Sequence, residues 1–241
     1  ASLLVCVSNS VRNAVLCKGA LKKRIRVVYN GVSLPDHKRD QSLSVCSGGS
    51  QKKNGITIGF LGSFTENKGF PVFLELARRF CKEPSINFIA TGGTAEKILR
   101  LKKKLQGRVS DQLILEPYTR IPYSFFRRID IFCMPSFYEA FPRVILEAAS
   151  HHLPIIASEV GGIVEVLNAG ENALLCQPGD VDCFEKSILA LIANPDRRQV
   201  LGVQAYKTVV KYFQKDQCHA QVVSLLHAEA QKVRGEGALE E

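Results

Sequence analysis

The segment from Pro135 to Ala149 places one carboxylate before a helix start and one after it. It reads Pro-Ser-Phe-Tyr-Glu-Ala-Phe-Pro-Arg-Val-Ile-Leu-Glu-Ala-Ala, so Glu139 precedes Pro142 and Glu147 follows it. Proline is favoured at the first position of a helix, because its φ is already helical and its missing N–H would have no partner there. We therefore expect a helix that begins at Pro142, with Glu139 in the loop before it and Glu147 inside it.

The beginning of this helix has the chemistry of a phosphate site. The free amides of Arg143 and Val144 and the positive end of the helix dipole favour a bound anion. Carboxylates beside that anion can accept hydrogen bonds from ligand hydroxyl groups. The segment therefore indicates a ligand with phosphate and hydroxyl groups, and the alternative is a pair of solvated glutamates near an ordinary helix.

The order of residues in this segment resembles the signature of retaining glycosyltransferases of family 4, which have the GT-B fold. These enzymes transfer a sugar from a nucleotide-sugar donor to an acceptor, and the shared pattern is Pro-Ser-x-x-Glu-x-Phe-Pro-x-x-x-x-Glu-Ala. The resemblance implies that Glu139 contacts the transferred sugar and that Glu147 holds the ribose hydroxyls. It also implies that the backbone amides of Phe141, Arg143 and Val144 hold phosphate. The donor-binding residues that it implies in this segment are Glu139, Ala140, Phe141, Pro142, Arg143, Val144 and Glu147.

A second segment, residues 59–69, resembles the Gly-Arg-x-x-x-x-Lys-Gly element of the same family. In that element the arginine and the lysine neutralise the donor diphosphate as the nucleotide leaves. Lys68 matches the lysine and is expected, with Glu139, to be catalytic. Ser63 stands at the arginine position and supplies no charge, so either Lys68 acts alone, or Arg143 compensates, or transfer is weak.

Two segments that come later in the chain also resemble parts of a donor site. Gly92 and Gly93 resemble a Gly-x-Gly turn at which missing side chains let the backbone approach the ligand, although they can equally form a bare turn. Tyr118 lies in the segment that is near the nucleotide base in the family, where Pro117 replaces a usual glycine. Tyr118 is expected either to stack on the base or only to pack against the protein.

Other motif-like residues are expected to be structural. The sequence from Gly161 to Glu165 resembles a Gly-Gly-x-x-Glu segment, whose glycines permit close packing and whose glutamate suits the dipole of the helix that it opens. Asp180 is expected to be a helix N-cap. His151 and His152 are expected at the surface.

Nearly continuous hydrophobic runs alternate with helical patterns from residue 55 onward. Such alternation is typical of a parallel sheet that is covered by helices on both faces, with ligands bound beyond the carboxyl ends of the strands. We therefore predict an α/β fold with a doubly wound, Rossmann-like parallel sheet and C-terminal helices, which by resemblance is the C-terminal domain of a GT-B protein. The predicted strands are residues 56–61, 86–90, 113–115, 131–134, 154–157 and 173–176.

The remaining organisation follows from the resemblance and from local composition. Residues 1–32 resemble the last βαβ unit of a GT-B N-terminal domain, 33–54 read as a polar linker, 55–234 as the nucleotide-sugar-binding domain, and 235–241 as a flexible tail. The rest of the N-terminal domain, which holds the acceptor in this family, has no counterpart here. We therefore expect residues 3–7 and 25–28 to expose apolar surface, and the chain alone to transfer no sugar without that domain or a partner subunit.

Composition narrows the class of protein. The chain has 241 residues, of which 46% are hydrophobic, and no apolar run of the roughly 20 residues that a membrane span needs. The first 16 residues lack a signal-peptide core, so we expect a cytoplasmic protein. None of the eight cysteines forms a Cys-x-x-Cys pair, so we expect them to be reduced, hydrophobic residues and neither metal ligands nor nucleophiles.

The net charge of +9 is concentrated in two clusters. One runs from Lys18 to Arg26 and the other from Lys97 to Arg108. A solvated helix face is the expected use of the second cluster, and peripheral contact with an anionic membrane at its cytoplasmic face is another. Neither cluster has interleaved aromatic residues, so no nucleic acid is expected as a partner.

Taken together, these features predict the donor-binding half of a retaining, hexosyltransferase-type glycosyltransferase. The nucleotide sugar would be its substrate, with no metal and no other cofactor. The alternative from another class is a non-catalytic nucleotide-sugar-binding module or subunit that needs a separate acceptor-binding partner. A basic protein that binds nucleic acid is a third, weaker reading.

Overall fold

The computed structural model of this chain describes residues 3–19, 24–35, 55–105, 112–119 and 123–237. The strands are β1 Leu4–Cys6, β2 Ile25–Val27, β3 Ile56–Leu61, β4 Ile86–Gly93, β5 Leu113–Pro117, β6 Ile131–Met134, β7 Ile155–Ser158 and β8 Leu174–Cys176. The helices are α1 Asn9–Cys17, α2 Phe70–Arg79, α3 Ala95–Leu105, α4 Tyr123–Phe126, α5 Arg143–Ser150, a 3₁₀ helix Gly161–Glu165, α6 Val181–Ala193, α7 Pro195–Tyr212 and α8 Lys215–Gly237.

Six of these strands form one parallel sheet in the order β5-β4-β3-β6-β7-β8. The chain moves outward from β3 in one direction and then from β6 in the other, which is the doubly wound arrangement. The predicted α/β fold is therefore confirmed. β3 and β6 have the predicted bounds, whereas β4 and β5 extend to Gly93 and Pro117, because their pairing continues through those two residues.

The sheet is buried on both faces because successive side chains of a strand point to opposite sides. In β6, Ile131 and Cys133 belong to one core, and Phe132 and Met134 belong to the other. Helices α2 and α6 contribute to the first core, and α5 and α7 to the second. Burial raises the pKa of the Cys133 thiol, which therefore stays protonated.

The front βαβ unit, made of β1, α1 and β2, forms a separate two-stranded parallel sheet. Leu4 and Val5 are each 42% exposed, which confirms the expected apolar surface on β1. The same expectation is wrong for Ile25 and Val28, which are buried. Val28 lines a groove together with Leu225 of α8, so the C-terminal helix covers a part of the unit that the sequence analysis left open.

Contacts of residues 29–32 join the front unit to the junction of α7 and α8 and to the loop before α5. The amide of Val32 donates to the carbonyl of Phe213 at 2.9 Å, and the amide of Lys215 donates to the carbonyl of Val32 at 3.0 Å. The ring of Tyr29 packs against Phe141 and Phe213, with centroid distances of 5.3 and 5.5 Å. The front unit is thus held against the same helix start that carries the candidate site.

The structure corrects one expectation about cysteine. Cys176 and Cys183 form a disulfide, with Cα atoms 5.8 Å apart. Cys176 ends β8 and Cys183 lies in the first turn of α6, so the turn between them brings the two residues together. Among the described residues, Cys6, Cys17, Cys81, Cys133 and Cys218 are free.

Some expectations concern residues outside the described ranges. Another concerns residues that the structure places in a helix. Residues 36–54, most of the predicted linker, lie outside the described residues, as do 238–241. Residues 235–237, expected in a flexible tail, continue helix α8. Among the helices described, none has both the length and the apolar composition needed to cross a membrane.

The packing of α7 gives a stability prediction at Gly202. A Cβ atom at this position would lie 2.0 Å from the carbonyl oxygen of His152, so no side chain fits without moving the backbone. Alanine normally stabilises a helix relative to glycine, but here we expect Gly202→Ala to cost about 1–3 kcal/mol of unfolding free energy. Urea unfolding measures this cost, with the exposed Gln204→Ala in the same helix as the control. An equal or higher stability of Gly202→Ala would contradict the contact.

Candidate functional site

A cavity of about 470 Å³ opens at the carboxyl ends of the central strands. It lies at the switch point of the sheet, where ligands bind in doubly wound folds. The structure thus brings together predicted residues from four separate segments of the chain. The described residues that line it are Leu61, Gly62, Ser63, Gly92, Tyr118, Thr119, Arg143, Val144 and Glu147.

A larger cavity of about 710 Å³ adjoins the first, because both are lined by Arg143 and Glu147. It extends toward the front unit, where Val5 and Val7 form part of its wall, and toward α8, where Lys215 contributes a positive charge. Together the two cavities form a cleft between the large sheet and the front unit.

Glu147 is the acidic residue that both cavities share. It lies one turn after Arg143 in α5, and none of the described residues donates a hydrogen bond to its carboxylate. Burial raises the pKa of Glu147, and the positive charge of Arg143 partly opposes this shift. The carboxylate is therefore available to hydroxyl groups of a ligand that enters the cleft.

The helix start differs by one residue from its prediction. Pro142 is the N-cap with a ψ of 85°, and the helix begins at Arg143. The amide of Arg143 donates to the carbonyl of Phe141 at 3.2 Å, so this predicted phosphate donor is already occupied. The amides of Phe141 and Val144 have no backbone acceptor among the described residues, which leaves two of the three predicted donors free.

Lys68 and Glu139 form an ion pair with each other. Lys68 Nζ donates to Glu139 Oε1 at 2.7 Å, and the hydroxyl of Ser136 donates to the same oxygen at 3.1 Å. Glu139 is only 5% exposed, and neither it nor Lys68 is among the residues that line the two cavities. In this structure the predicted sugar-contacting carboxylate is thus neutralised by the predicted diphosphate-binding cation.

Glycines bring the two halves of this ion pair together. Gly69 has a φ of +69°, and a Cβ atom there would lie 1.7 Å from the carbonyl oxygen of Pro135. The same two loops are also joined by a hydrogen bond of 2.9 Å from the amide of Phe137 to the carbonyl of Asn67. Any larger residue at position 69 would separate the loop that carries Lys68 from the loop that carries Glu139.

A second glycine pair supports the Glu139 loop from the other side. Cβ atoms at Gly161 and Gly162 would lie 2.0 and 2.4 Å from the carbonyl oxygens of Glu139 and Ala140. The amide of Gly162 also donates to the Glu139 carbonyl at 2.8 Å. Close packing by these glycines is therefore confirmed. Glu165 is structural as expected, but its carboxylate accepts hydrogen bonds from the N-terminus of α1 and not from its own helix.

The opposite end of the first cavity carries an exposed aromatic ring. Tyr118 is 72% exposed at the rim, on the segment that follows β5. The preceding Glu116 accepts hydrogen bonds of 2.8 and 3.0 Å from Arg128 and one of 3.0 Å from Thr91. These contacts hold the end of β5 in place, while the ring of Tyr118 remains open to a stacking partner.

The two glycines that end β4 have different surroundings. Gly92 has a φ of +131° and lines the cavity, and a Cβ atom there would lie 2.2 Å from the carbonyl oxygen of Gly62. A Cβ atom at Gly93 would instead meet the ring of Phe64 at 2.5 Å. Gly92 therefore lets two strand ends approach each other beside the cavity, whereas Gly93 is a packing residue.

His151 is a cavity residue that the sequence analysis placed at the surface. Its ring lies 4.9 Å from that of Tyr123 and 5.0 Å from that of Phe126, and it lines the larger cavity. Its spacing of four residues from Glu147 on one helical pattern could have indicated a shared face. His152 is exposed as expected.

Two other expectations concern caps and metals. The side chain of Asp180 accepts a hydrogen bond of 2.9 Å from the amide of Cys183, which confirms it as an N-cap. The described residues contain no group of three or more His, Cys, Asp or Glu that could hold a metal ion.

Comparisons with known proteins agree with this architecture. Residues 48–208 match the family model described as Glycosyl transferases group 1. An uncharacterised glycosyltransferase of Methanocaldococcus jannaschii is 27% identical over 219 residues, which cover 89% of this chain and 56% of that protein. The chain spans about half the length of the curated relatives it matches, with shares of 56%, 42% and 41% for three of them.

Two solved structures share the fold. Anabaena HepE in complex with UDP-glucose superposes with a TM-score of 0.81 at 20% identity, over 95% of this chain and 64% of HepE. The C-terminal domain of LpcC, a glycosyl transferase group 1 family protein from Francisella tularensis, gives a TM-score of 0.63 at 24% identity. The match covers 76% of this chain and 99% of that domain.

The environment of Glu147 predicts a pH-dependent stability difference. A carboxyl group whose pKa is raised by folding stabilises the protein below its unfolded pKa, and this contribution is lost as the pH rises through the folded pKa. We therefore expect Glu147→Gln to match wild type below about pH 4 and to be more stable at pH 8. A gain of about 1 kcal/mol would raise the Tm by roughly 2–4 °C. A glutamine variant that is less stable at pH 8 would show that the carboxylate has a stabilising partner.

The ion pair predicts a non-additive result in a double-mutant cycle. Lys68→Met leaves the buried Glu139 carboxylate without its charged partner and is expected to cost about 1–3 kcal/mol in urea unfolding. Adding Glu139→Gln should recover most of this loss, because the uncharged amide needs no cation. Lys82→Met, at an exposed lysine, is the control for loss of a positive charge. Additive effects of the two substitutions would contradict the pairing.

Proposed function

The chain belongs to the glycosyl transferases group 1 family, and on this premise we propose that it is the donor-binding half of a retaining glycosyltransferase. The observation that carries the proposal is the cavity at the strand ends, where Glu147, the start of α5 and Tyr118 converge. These groups complement the three parts of a nucleotide, namely the ribose, the phosphates and the base.

Each part of the donor has a candidate partner in the cleft. Glu147 accepts hydrogen bonds from the ribose hydroxyls, because it has no described donor of its own. The amides of Phe141 and Val144 bind the diphosphate, assisted by the helix dipole. Tyr118 stacks on the base. The open amides and the lone carboxylate support these roles, and the first donor to test is UDP-glucose, because HepE was solved with it.

The Lys68–Glu139 ion pair is the proposed catalytic pair. Its ammonium group is shared between Glu139 and the diphosphate once a donor is bound, and Glu139 then contacts the sugar. An acceptor hydroxyl attacks the anomeric carbon on the face from which the diphosphate departs. The departing phosphate takes the hydroxyl proton, and Lys68 stabilises the charge that develops on it. Retention of configuration follows from this same-face attack, and no metal takes part in the scheme.

The acceptor is proposed to be held by a further domain or a partner protein. Positioning an acceptor against the donor carbon contributes as much as about 7–11 kcal/mol of barrier lowering, which requires two walls of a cleft. The exposed Leu4 and Val5 on β1 offer apolar surface at which such a partner can pack. Transfer by the 241 residues alone is therefore not expected.

A second candidate is a non-catalytic nucleotide-sugar-binding subunit. It is favoured by the uncharged Ser63 at the cavity wall and by the occupation of Lys68 by Glu139. An assay of sugar transfer in mixtures with candidate acceptor-binding proteins separates the two candidates. Contact with an anionic membrane stays a prediction. On α3, Arg100 is paired with Glu96 and Lys97 donates to the carbonyl of Phe64, whereas Lys102, Lys103 and Lys104 are exposed.

The Ser63 position predicts a change in selectivity between diphosphate and nucleoside. Ser63 lines the cavity, so Ser63→Arg places a cation where a diphosphate is expected and should tighten UDP binding about tenfold, because hydrogen bonds to charged groups contribute about 1.5–3 kcal/mol. Uridine affinity should not change. Gln199→Arg adds the same charge at an exposed position of α7 that lines neither cavity and is the control. An unchanged ratio of UDP to uridine affinity in calorimetry would count against a diphosphate at this wall.

A further inference from the structure

Glu165 connects the front unit to the 3₁₀ helix that follows β7. Its Oε2 accepts hydrogen bonds from the amide of Asn9 at 2.8 Å, from Asn9 Nδ2 at 3.0 Å and from the hydroxyl of Tyr29 at 3.0 Å. Its Oε1 accepts one from the amide of Ser10 at 2.8 Å. Burial and the neighbouring carboxylate both raise the pKa of Tyr29, so its hydroxyl stays protonated and donates.

These contacts complete the N-terminus of α1. The first amides of a helix have no intrahelical acceptor and need one from elsewhere. The side chain of Ser8 accepts from the amide of Val11, and the distant Glu165 accepts from Asn9 and Ser10. A carboxylate is well suited to this position because it also faces the positive end of the helix dipole. One negative charge on the 3₁₀ helix thus caps α1 and adds to the Val32 and Tyr29 contacts that hold the front unit in place.

The other end of the same 3₁₀ helix rests on the loop of the candidate site. Gly161 and Gly162, at its first turn, pack directly on the backbone of Glu139 and Ala140, and the amide of Gly162 donates to the Glu139 carbonyl. Only Ile163 and Val164 separate Gly162 from Glu165, so a shift of Glu165 is expected to move the glycine that contacts the loop.

A second route connects the same two parts. The ring of Tyr29, whose hydroxyl is bound to Glu165, packs on Phe141 in the loop before α5. Phe141 carries one of the open amides at the helix start. The loop from Glu139 to Phe141 thus contacts the front unit both through the 3₁₀ helix and through the Tyr29 ring.

From this arrangement we propose that Glu165 is a positioning residue that couples the docking of the front unit to the diphosphate-binding loop 139–144. The proposal rests on the proposed function, since that loop is expected to hold the donor phosphates. Glu165 itself touches no ligand. Its loss changes how the loop is held and leaves the ribose and base contacts of Glu147 and Tyr118 in place.

The test uses Glu165→Gln, with Glu159→Gln as the matched control. A glutamine amide would put an N–H group against an amide or hydroxyl donor of α1 or Tyr29, so at least one contact is lost. Glu159 is an exposed glutamate before the same 3₁₀ helix and accepts a hydrogen bond from Gln177, away from α1. Hydrogen exchange of residues 139–144 and 9–17, and calorimetric affinities for UDP and uridine, are measured on both variants.

We expect Glu165→Gln to speed exchange in both segments and to weaken UDP binding by about three- to tenfold, in the range of coupling through residues that touch neither ligand. Uridine affinity and all properties of Glu159→Gln should match wild type. Faster exchange in α1 with an unchanged loop and unchanged UDP affinity would overturn the proposal, because Glu165 would then only cap a helix. Equal weakening of UDP and uridine would overturn it as well.

Two further results keep the outcome clear. If Glu165→Gln does not fold, Tyr29→Phe removes one hydrogen bond to the same carboxylate and the one that the hydroxyl accepts from Asn9 Nδ2, and the same comparison applies to it. If wild type binds no nucleotide, the proposed function is contradicted, whereas the exchange of the loop still decides whether Glu165 is coupled to it.

Discussion

The burial of the Glu139 carboxylate is the constraint on which the arrangement of this site depends. A buried charge is costly unless it is paired and hydrogen-bonded, and here Lys68 and Ser136 provide those contacts. Lys68 reaches Glu139 only because Gly69 allows its loop to press against Pro135. The requirement of one carboxylate thus fixes two loops from opposite halves of the sheet, and with them the wall next to the cleft.

Because Glu139 must stay buried, the loop that carries it is held in place by backbone contacts with neighbouring segments. The Glu139 loop is supported by glycines at 161 and 162, whose position is in turn tied to the front unit through Glu165. The cavity residues Arg143, Val144 and Glu147 follow this loop directly in the chain, on helix α5. Glu147 there is half-buried without a described donor, so its carboxylate reduces stability in the free protein and becomes favourable when a ligand supplies hydroxyl groups. A carboxylate with a perturbed pKa and no described hydrogen-bond donor, lining a cleft, is an arrangement typical of a binding site.

Much of the fold and part of the site follow from local sequence. Continuous hydrophobic runs gave the strands of the large sheet, and the residues after those strands, such as Ser63 and Tyr118, do meet at one cavity. The features that could not be predicted from local sequence depend on contacts between residues far apart in the chain. Lys68 and Glu139 are 71 positions apart, and Glu165 and Asn9 are 156 apart. No helical or strand period links such pairs, and the Cys176–Cys183 disulfide likewise depends on how a turn folds.

The central claim is that the cleft binds a nucleoside diphosphate through Glu147 and the start of α5. The most direct measurement is calorimetric titration of UDP into wild type, Glu147→Gln and Glu171→Gln, the last being an exposed glutamate away from the cleft. Loss of a charged hydrogen bond to the ribose predicts that Glu147→Gln binds about tenfold or more weakly, while Glu171→Gln matches wild type. Equal UDP affinity of all three proteins would contradict the claim, because Glu147 would then lie outside the nucleotide site.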